Sequence, residues 1–173
     1  MMKRVFRAVL VVCVMAAAMA CDDDSPTSPS EVVVYTATLL PANENPPVTN
    51  AQNTGSGTAT IQMVITRDSS NVITSALVHF SVSLTGFPTD TRINLSHIHR
   101  GISTANGPVV VDTGLVANEI PVLATGGVNY VKVDRIATPA IAQEILGNHT
   151  GFYFNVHSNL SPGGVARGQL VKQ

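Results

Sequence analysis

From Glu31 to the C-terminus, apolar residues recur at every second position and turn-forming residues interrupt them about every ten. This pattern restricts the chain to short antiparallel strands. Val33, Tyr35 and Ala37 alternate with Val32, Val34 and Thr36 up to Leu40-Pro41, and Ala42 to Pro47 reads as a loop because Asn and Pro favour turns. Between Gly55 and Ile65, one face carries Ala59, Ile61, Met63 and Ile65 and the other Thr58, Thr60, Gln62 and Val64. A hairpin turn at Arg67–Asn71 leads to a return strand from Val72 to Leu84 that points Ala76, Val78, Phe80, Val82 and Leu84 inward and His79 outward. Arg92 to His99 is the next strand, with Ile93, Leu95, His97 and His99 expected on one side. Further strands are expected at Pro108–Asp112, Tyr130–Val133, Phe152–Ser158 and Val165–Val171. One helix stands out at Thr138–Gly147. Thr138 can cap it, Pro139 suits its first turn, Ile141 and Ile145 share a face and Gly147 can end it. The expected class is all-β, an antiparallel β-sandwich or flattened Greek-key barrel with one short helix, over residues 31–173.

Composition narrows the partners. With 45% apolar and 12% charged residues the chain is no disordered polymer, and 173 residues suit a single domain. Aromatics are 5% with no Trp and the net charge is −1, so there is neither a stacking platform nor a basic patch for nucleic acid.

The first thirty residues carry their own message. Met1–Arg7 is basic and Ala8–Ala20 is an unbroken apolar run, the layout of a secretory signal peptide over residues 1–20 and too short for a stable bilayer span. Ala18-Met19-Ala20-Cys21 resembles a bacterial lipobox, in which the Cys is acylated and becomes the new N-terminus. The alternative is a plain Ala-x-Ala cut, with Cys21 an ordinary residue. Residues 21–30, with three Asp and alternating Ser, Thr and Pro, read as an extended tether. The expected location is therefore the bacterial cell envelope, exported and held to the membrane through the N-terminal lipid, on the periplasmic face, the outer membrane or the cell surface. Cys13 falls in the leader and Cys21 is consumed by lipid, so the mature domain has no thiol for a disulfide or a thiolate metal site.

Five segments in a fixed order resemble the chordin-type (CHRD) domain. They are Tyr35–Leu40 followed by Asn43-Glu44-Asn45-Pro46-Pro47; Gly55-x-Gly57-Thr58-Ala59; His97-Ile98-His99-Arg100-Gly101; Gly107-Pro108-Val109-Val110; and Tyr153-Phe154-Asn155-Val156-His157-Ser158 leading to Gly168-Gln169-Leu170. The resemblance implies an extracytoplasmic β-domain of no single defined activity; if it acts by binding, Arg100, Asn155 and Arg167 are the expected contacts for an envelope protein or extracellular ligand. Ala166 stands where the family usually has an acidic residue before Arg-Gly, which removes a polar contact expected near Arg167.

His97 and His99 lie two apart on a strand, about 7 Å from one another on one face. With His157 from a second strand they supply three nitrogens, a set suited to copper or zinc. A His-x-His strand, a late His and an Arg after Gly163-Gly164 also bear a remote likeness to copper/zinc superoxide dismutase, although the second metal loop and the disulfide of that family are missing. The competing reading is a neutral hydrogen-bonded cluster with Asn155, Ser158 or backbone carbonyls that fixes strand register. His79 and His149 are read as surface residues. No catalytic set emerges: Ser96 and His97 point to opposite faces, as do His157 and Ser158, and the acidic residues are scattered. The leading expectation is a non-enzymatic, lipid-anchored binding or structural module without a cofactor. Its rivals are a copper or zinc protein using His97, His99 and His157, with dismutase-like redox activity as one form of it, and a purely structural envelope module. The loops Gly101–Gly107 and Pro162–Arg167, which follow the His-bearing strands, are the expected binding surface.

Overall fold

The alternating segments form strands because each has one face of β-branched and aromatic side chains to bury and one polar face to leave wet. The computed structural model describes residues 30–121 and 124–173, so the leader, Cys21 and all of the tether but Ser30 lie outside the described residues. Strands β1 (Ser30–Leu39), β2 (Ser56–Arg67), β3 (Ile73–Thr85), β4 (Ile93–Arg100), β5 (Val109–Asp112), β6 (Val128–Ile136), β7 (Phe152–Ser158), β8 (Ala166–Gln169) and β9 (Val171–Lys172) join one helix, α1 (Pro139–Gly147). Ser30, expected at the end of the tether, is the first residue of β1.

Two antiparallel sheets result, one in the order β6-β3-β2-β1-β9 and the other β5-β4-β7-β8. Their inner faces meet in one core. From the five-stranded sheet come Tyr35, Leu39, Ile61, Met63, Ile65, Val78 and Phe80, and from the other Ile93, Ile98, Phe154 and Val156, all essentially inaccessible to solvent. Phe80 and Phe154 touch across the interface with ring centroids 5.6 Å apart. Each such side chain contributes about 1.5–3 kcal/mol of burial. The architecture is thus an open sandwich rather than a closed barrel.

The β2–β3 hairpin closes where Asp68 Oδ1 accepts the N–H groups of Ser70 and Val72 while Asn71 takes a left-handed φ of 63°. Helix α1 begins at Thr138, whose hydroxyl accepts the Ile141 N–H, and buries Ala142 and Ile145.

Three local expectations are corrected. Ile93 does not share a face with Leu95, His97 and His99. The register slips by one residue between Ile93 and Leu95 against β7, so a bulge at Asn94 turns Ile93 into the core and leaves Leu95 outside at 40% exposed. The final segment is not one strand, because the fully buried Leu170 interrupts it and gives its N–H to Phe152 O. Beyond Leu170 the chain changes sheets, β8 pairing with β7 and β9 with β1. Gly168 allows the crossing, since a Cβ there would lie 2.2 Å from the Thr38 carbonyl oxygen. β6 is also longer than Tyr130–Val133. It is an edge strand whose alternation is broken by a bulge with Asp134 at φ 55°, which hides the period from the sequence.

Candidate metal centre

Strand register places the site residues on a grid on the outer face of the four-stranded sheet. Across β4 and β7, Leu95 faces His157, His97 faces Asn155 and His99 faces Tyr153. Across β7 and β8, Asn155 faces Arg167 and Tyr153 faces Gln169. An outer face is usually wet, yet His97, His99, His157, Tyr153, Asn155 and Arg167 are all less than a tenth exposed. Loops fold over them. The reason lies in Arg167, which is 1% exposed and donates to Asn43 O through Nε, to Asn106 Oδ1 through Nη1 and to Ser103 O through Nη2. One guanidinium therefore draws both the 41–47 loop and the 101–107 loop down onto the sheet. Asn45 and Asn106 then stitch the two loops together, Asn45 Nδ2 donating to Thr104 O and Asn106 Nδ2 to Asn45 O.

Beneath this cover the three imidazoles converge. One donor atom from each of His97, His99 and His157 lies within 4.8 Å of the others. His99 Nδ1 is 2.9 Å from Gly107 O and His157 Nδ1 is 2.9 Å from Pro162 O. A carbonyl only accepts, so in each neutral ring the proton sits on Nδ1 and Nε2 is a bare lone pair. His99 Nε2 is buried without a partner. His157 Nε2 lies 3.3 Å from His97 Nδ1, and His97 Nε2 points its other edge at Asp112 Oδ1, 3.9 Å away. Because His157 Nε2 can only accept, His97 Nδ1 carries the proton between them and His97 Nε2 faces Asp112 bare; moving that proton to Nε2, on the Asp112 side, is what would turn a third lone pair inward for an ion. Donors on a tetrahedral zinc with bonds of about 2.0–2.1 Å stand about 3.3 Å apart, so the His97–His157 separation already fits.

Electrostatics keep the rings neutral. Burial pushes the His97 imidazole down to about 4, helped by His157 and opposed by Asp112. His99 is lowered by burial against its bond to Gly107, and His157 by burial against its bond to Pro162. Neutral imidazoles whose far N–H groups are fixed by carbonyls are the form that ligates metal, and for His99 and His157 those orienting contacts are in place.

Tyr153 supports the floor. Its ring stacks parallel on His99 with centroids 4.9 Å apart, and the Arg167 guanidinium carbon is 4.6 Å from the same centroid. On the other side of Arg167, a cleft of about 590 Å³ opens between the two loops, lined by Asn43, Glu44, Asn45, Ser103, Thr104 and Gln169 among others. Glu44 is 7% exposed and its Oε1 has no partner. Burial raises this carboxyl to about 7 against the pull of Arg167. Glu44 thus places a carboxyl near Arg167 although Ala166 provides none.

Of the residues expected from sequence, His97, His99, His157, Asn155 and Arg167 come together on this face. Arg100 does not: it lies at the end of β4 against α1, where its guanidinium binds Glu144 Oε2 through Nη2 at 2.7 Å and Nε at 2.9 Å. His79, on the outer face of the other sheet, accepts the Asp134 N–H at its Nδ1. His149 is half-buried, its ring 5.8 Å from that of Tyr35. Ser96 turns into the core and pairs with Thr113, while Ser158 binds Gln52 rather than a histidine. The sequence pattern does not mark Asp112, Glu44 or Tyr153 as site residues, and it marks Gly107 and Pro162 only as ends of the loops expected to form the binding surface. For Glu44 the Asn-Glu-Asn-Pro-Pro run was the available signal.

The chain matches a family model described as the CHRD domain over residues 35–170. No curated protein and no solved structure gives a match.

Proposed function

The chain belongs to the CHRD-domain family, a binding or structural module, and from that premise we propose that it binds a copper or zinc ion through His97, His99 and His157. The observation that carries this reading is the convergence of one ring nitrogen from each of three buried histidines, two of them with the opposite N–H held by Gly107 O and Pro162 O. The module is exported and lipid-anchored at Cys21, displays the domain on the tether, and performs no catalysis of its own. The leader, the lipobox and the acidic Ser/Pro tether support the anchor. The loops that cover the histidines make the same face the contact surface for an envelope protein or extracellular ligand.

Metal analysis of the protein purified without a polyhistidine tag tests the reading. Near-stoichiometric copper or zinc, lost in the His97→Ala/His99→Ala pair, supports it, and absence of metal after exposure to either ion overturns it. For the anchor, Cys21→Ala moves the protein from the detergent phase to the aqueous phase. A dismutase assay on the copper-loaded protein separates simple binding from a redox role. Three imidazoles with no thiolate suit Cu²⁺ as well as Zn²⁺.

A further inference from the structure

The metal-ligand types on this face run out at three. Among the described residues the cluster holds no carboxylate or thiolate beside His97, His99 and His157. We infer that Asn155 completes the site, its side-chain oxygen serving as the fourth donor to the ion bound by the histidines, an inference that rests on the metal reading above.

Position is the first argument. Asn155 is the one residue of the grid adjacent to all three histidines: it is opposite His97, diagonal to His99 and two residues before His157 on the same face. Isolation is the second. Asn155 is 2% exposed and its Oδ1 has no hydrogen-bond partner. The donors around it are committed elsewhere. Arg167, directly across on β8, gives its bonds to Asn43, Asn106 and Ser103, His99 gives its Nδ1 proton to Gly107 and His157 gives its own to Pro162. What His99 and His157 present on their inner side are lone pairs. Two buried acceptors on this face, Asn155 Oδ1 and His99 Nε2, are left without a donor, and a cation bound by both resolves them.

The competing role for Asn155 is structural. With the amide turned over, its NH₂ would donate to a histidine Nε2 and no ion would be needed. Two substitutions separate the roles. Asn155→Ala removes the oxygen, and Asn155→Asp keeps an oxygen and adds charge but cannot donate. The experiment titrates Zn²⁺ against a chelating dye, and records Co²⁺ absorption, for the EDTA-stripped full-length protein and for the Asn155→Ala, Asn155→Asp and His97→Ala variants. The expected result is one tight site in the unaltered protein, about 10–100-fold weaker binding in Asn155→Ala, equal or tighter binding in Asn155→Asp, and none in His97→Ala. Equal affinity of Asn155→Ala and the unaltered protein overturns the inference and leaves the metal reading standing. Loss in Asn155→Asp as great as in Asn155→Ala also overturns it, because that marks the amide as a donor. No binding by the unaltered protein removes both. Should Asn155→Ala fail to fold by circular dichroism, Asn155→Asp decides alone.

Discussion

His97 and His157, sixty residues apart in the chain, direct Nδ1 and Nε2 at each other across the β4–β7 pair at 3.3 Å. Burial lowers both rings, so the contact is a neutral N–H···N bond from His97 to His157 rather than a like-charge repulsion, and an ion takes the place of its proton. An ion that binds only the folded form must therefore stabilise it. Zinc at about a hundredfold over its dissociation constant should add about 2.7 kcal/mol. A thermal melt with and without zinc checks this, the shift being expected in the unaltered protein and absent in His97→Ala/His99→Ala.

Acid should unfold the metal-free domain through the same histidines. A histidine whose folded value lies below its unfolded value binds fewer protons in the native state, so stability is lost as pH falls from about 6.5 toward the folded value. For His97 that decline continues to about pH 4, and His99 and His157 add to it in the same direction. Denaturant midpoints between pH 7.5 and 4 should fall, and the fall should flatten when the three histidines are replaced by Gln.

Glu44 acts with the opposite sign. Its carboxyl is raised to about 7, so its ionisation destabilises the fold as pH rises from about 4.5 through 7. Because burial outweighs the attraction of Arg167, the neutral isostere should be preferred. Glu44→Gln is expected to gain about 1–3 kcal/mol at pH 8 and nothing at pH 4. Equal stability of the two proteins at pH 8 would sink this account of Glu44. Gly164 packs against the same carboxyl, where a Cβ would lie 2.6 Å from Glu44 Oε2, and its φ of 143° already disfavours a side chain. Gly164→Ala should destabilise at every pH.

Arg167 should be more costly to remove than any exposed charge. Its loss leaves Asn43 O, Asn106 Oδ1 and Ser103 O without their donor and frees two loops at once. Arg167→Met is expected to cost about 3 kcal/mol or more and to speed hydrogen exchange in the 101–107 loop. Arg167→Lys should rescue little of this, since one ammonium cannot reach three acceptors arranged for a planar fork.

Much of this was legible in the sequence because period-two burial is a local property. The faces of β2 and β3 and the cap of α1 fall where Met63, Val78 and Thr138 placed them. A bulge leaves no mark on composition, so simple alternation puts Ile93 on the wrong face, and an edge strand need bury only one broken face, so the pattern of β6 spans less than its length. At the site, His97, His99 and His157 were visible from spacing and residue type. Glu44 and Asp112 were not, since their roles come from loop closure and strand register, which join residues far apart in the chain. Arg100 shows the converse: adjacency to His99 in sequence carries no spatial weight where the next residue on a strand points the other way.

On this reading the nitrogens of His97, His99 and His157 form one metal site. Calorimetric titration of Zn²⁺ and Cu²⁺ into the EDTA-stripped, untagged protein at pH 7.5 tests it most directly. One ion per chain is expected, with binding lost in His99→Ala, where the unpartnered Nε2 is removed. Absence of binding, or binding that survives that substitution unchanged, would contradict it and leave the histidines as a structural cluster beneath the loops.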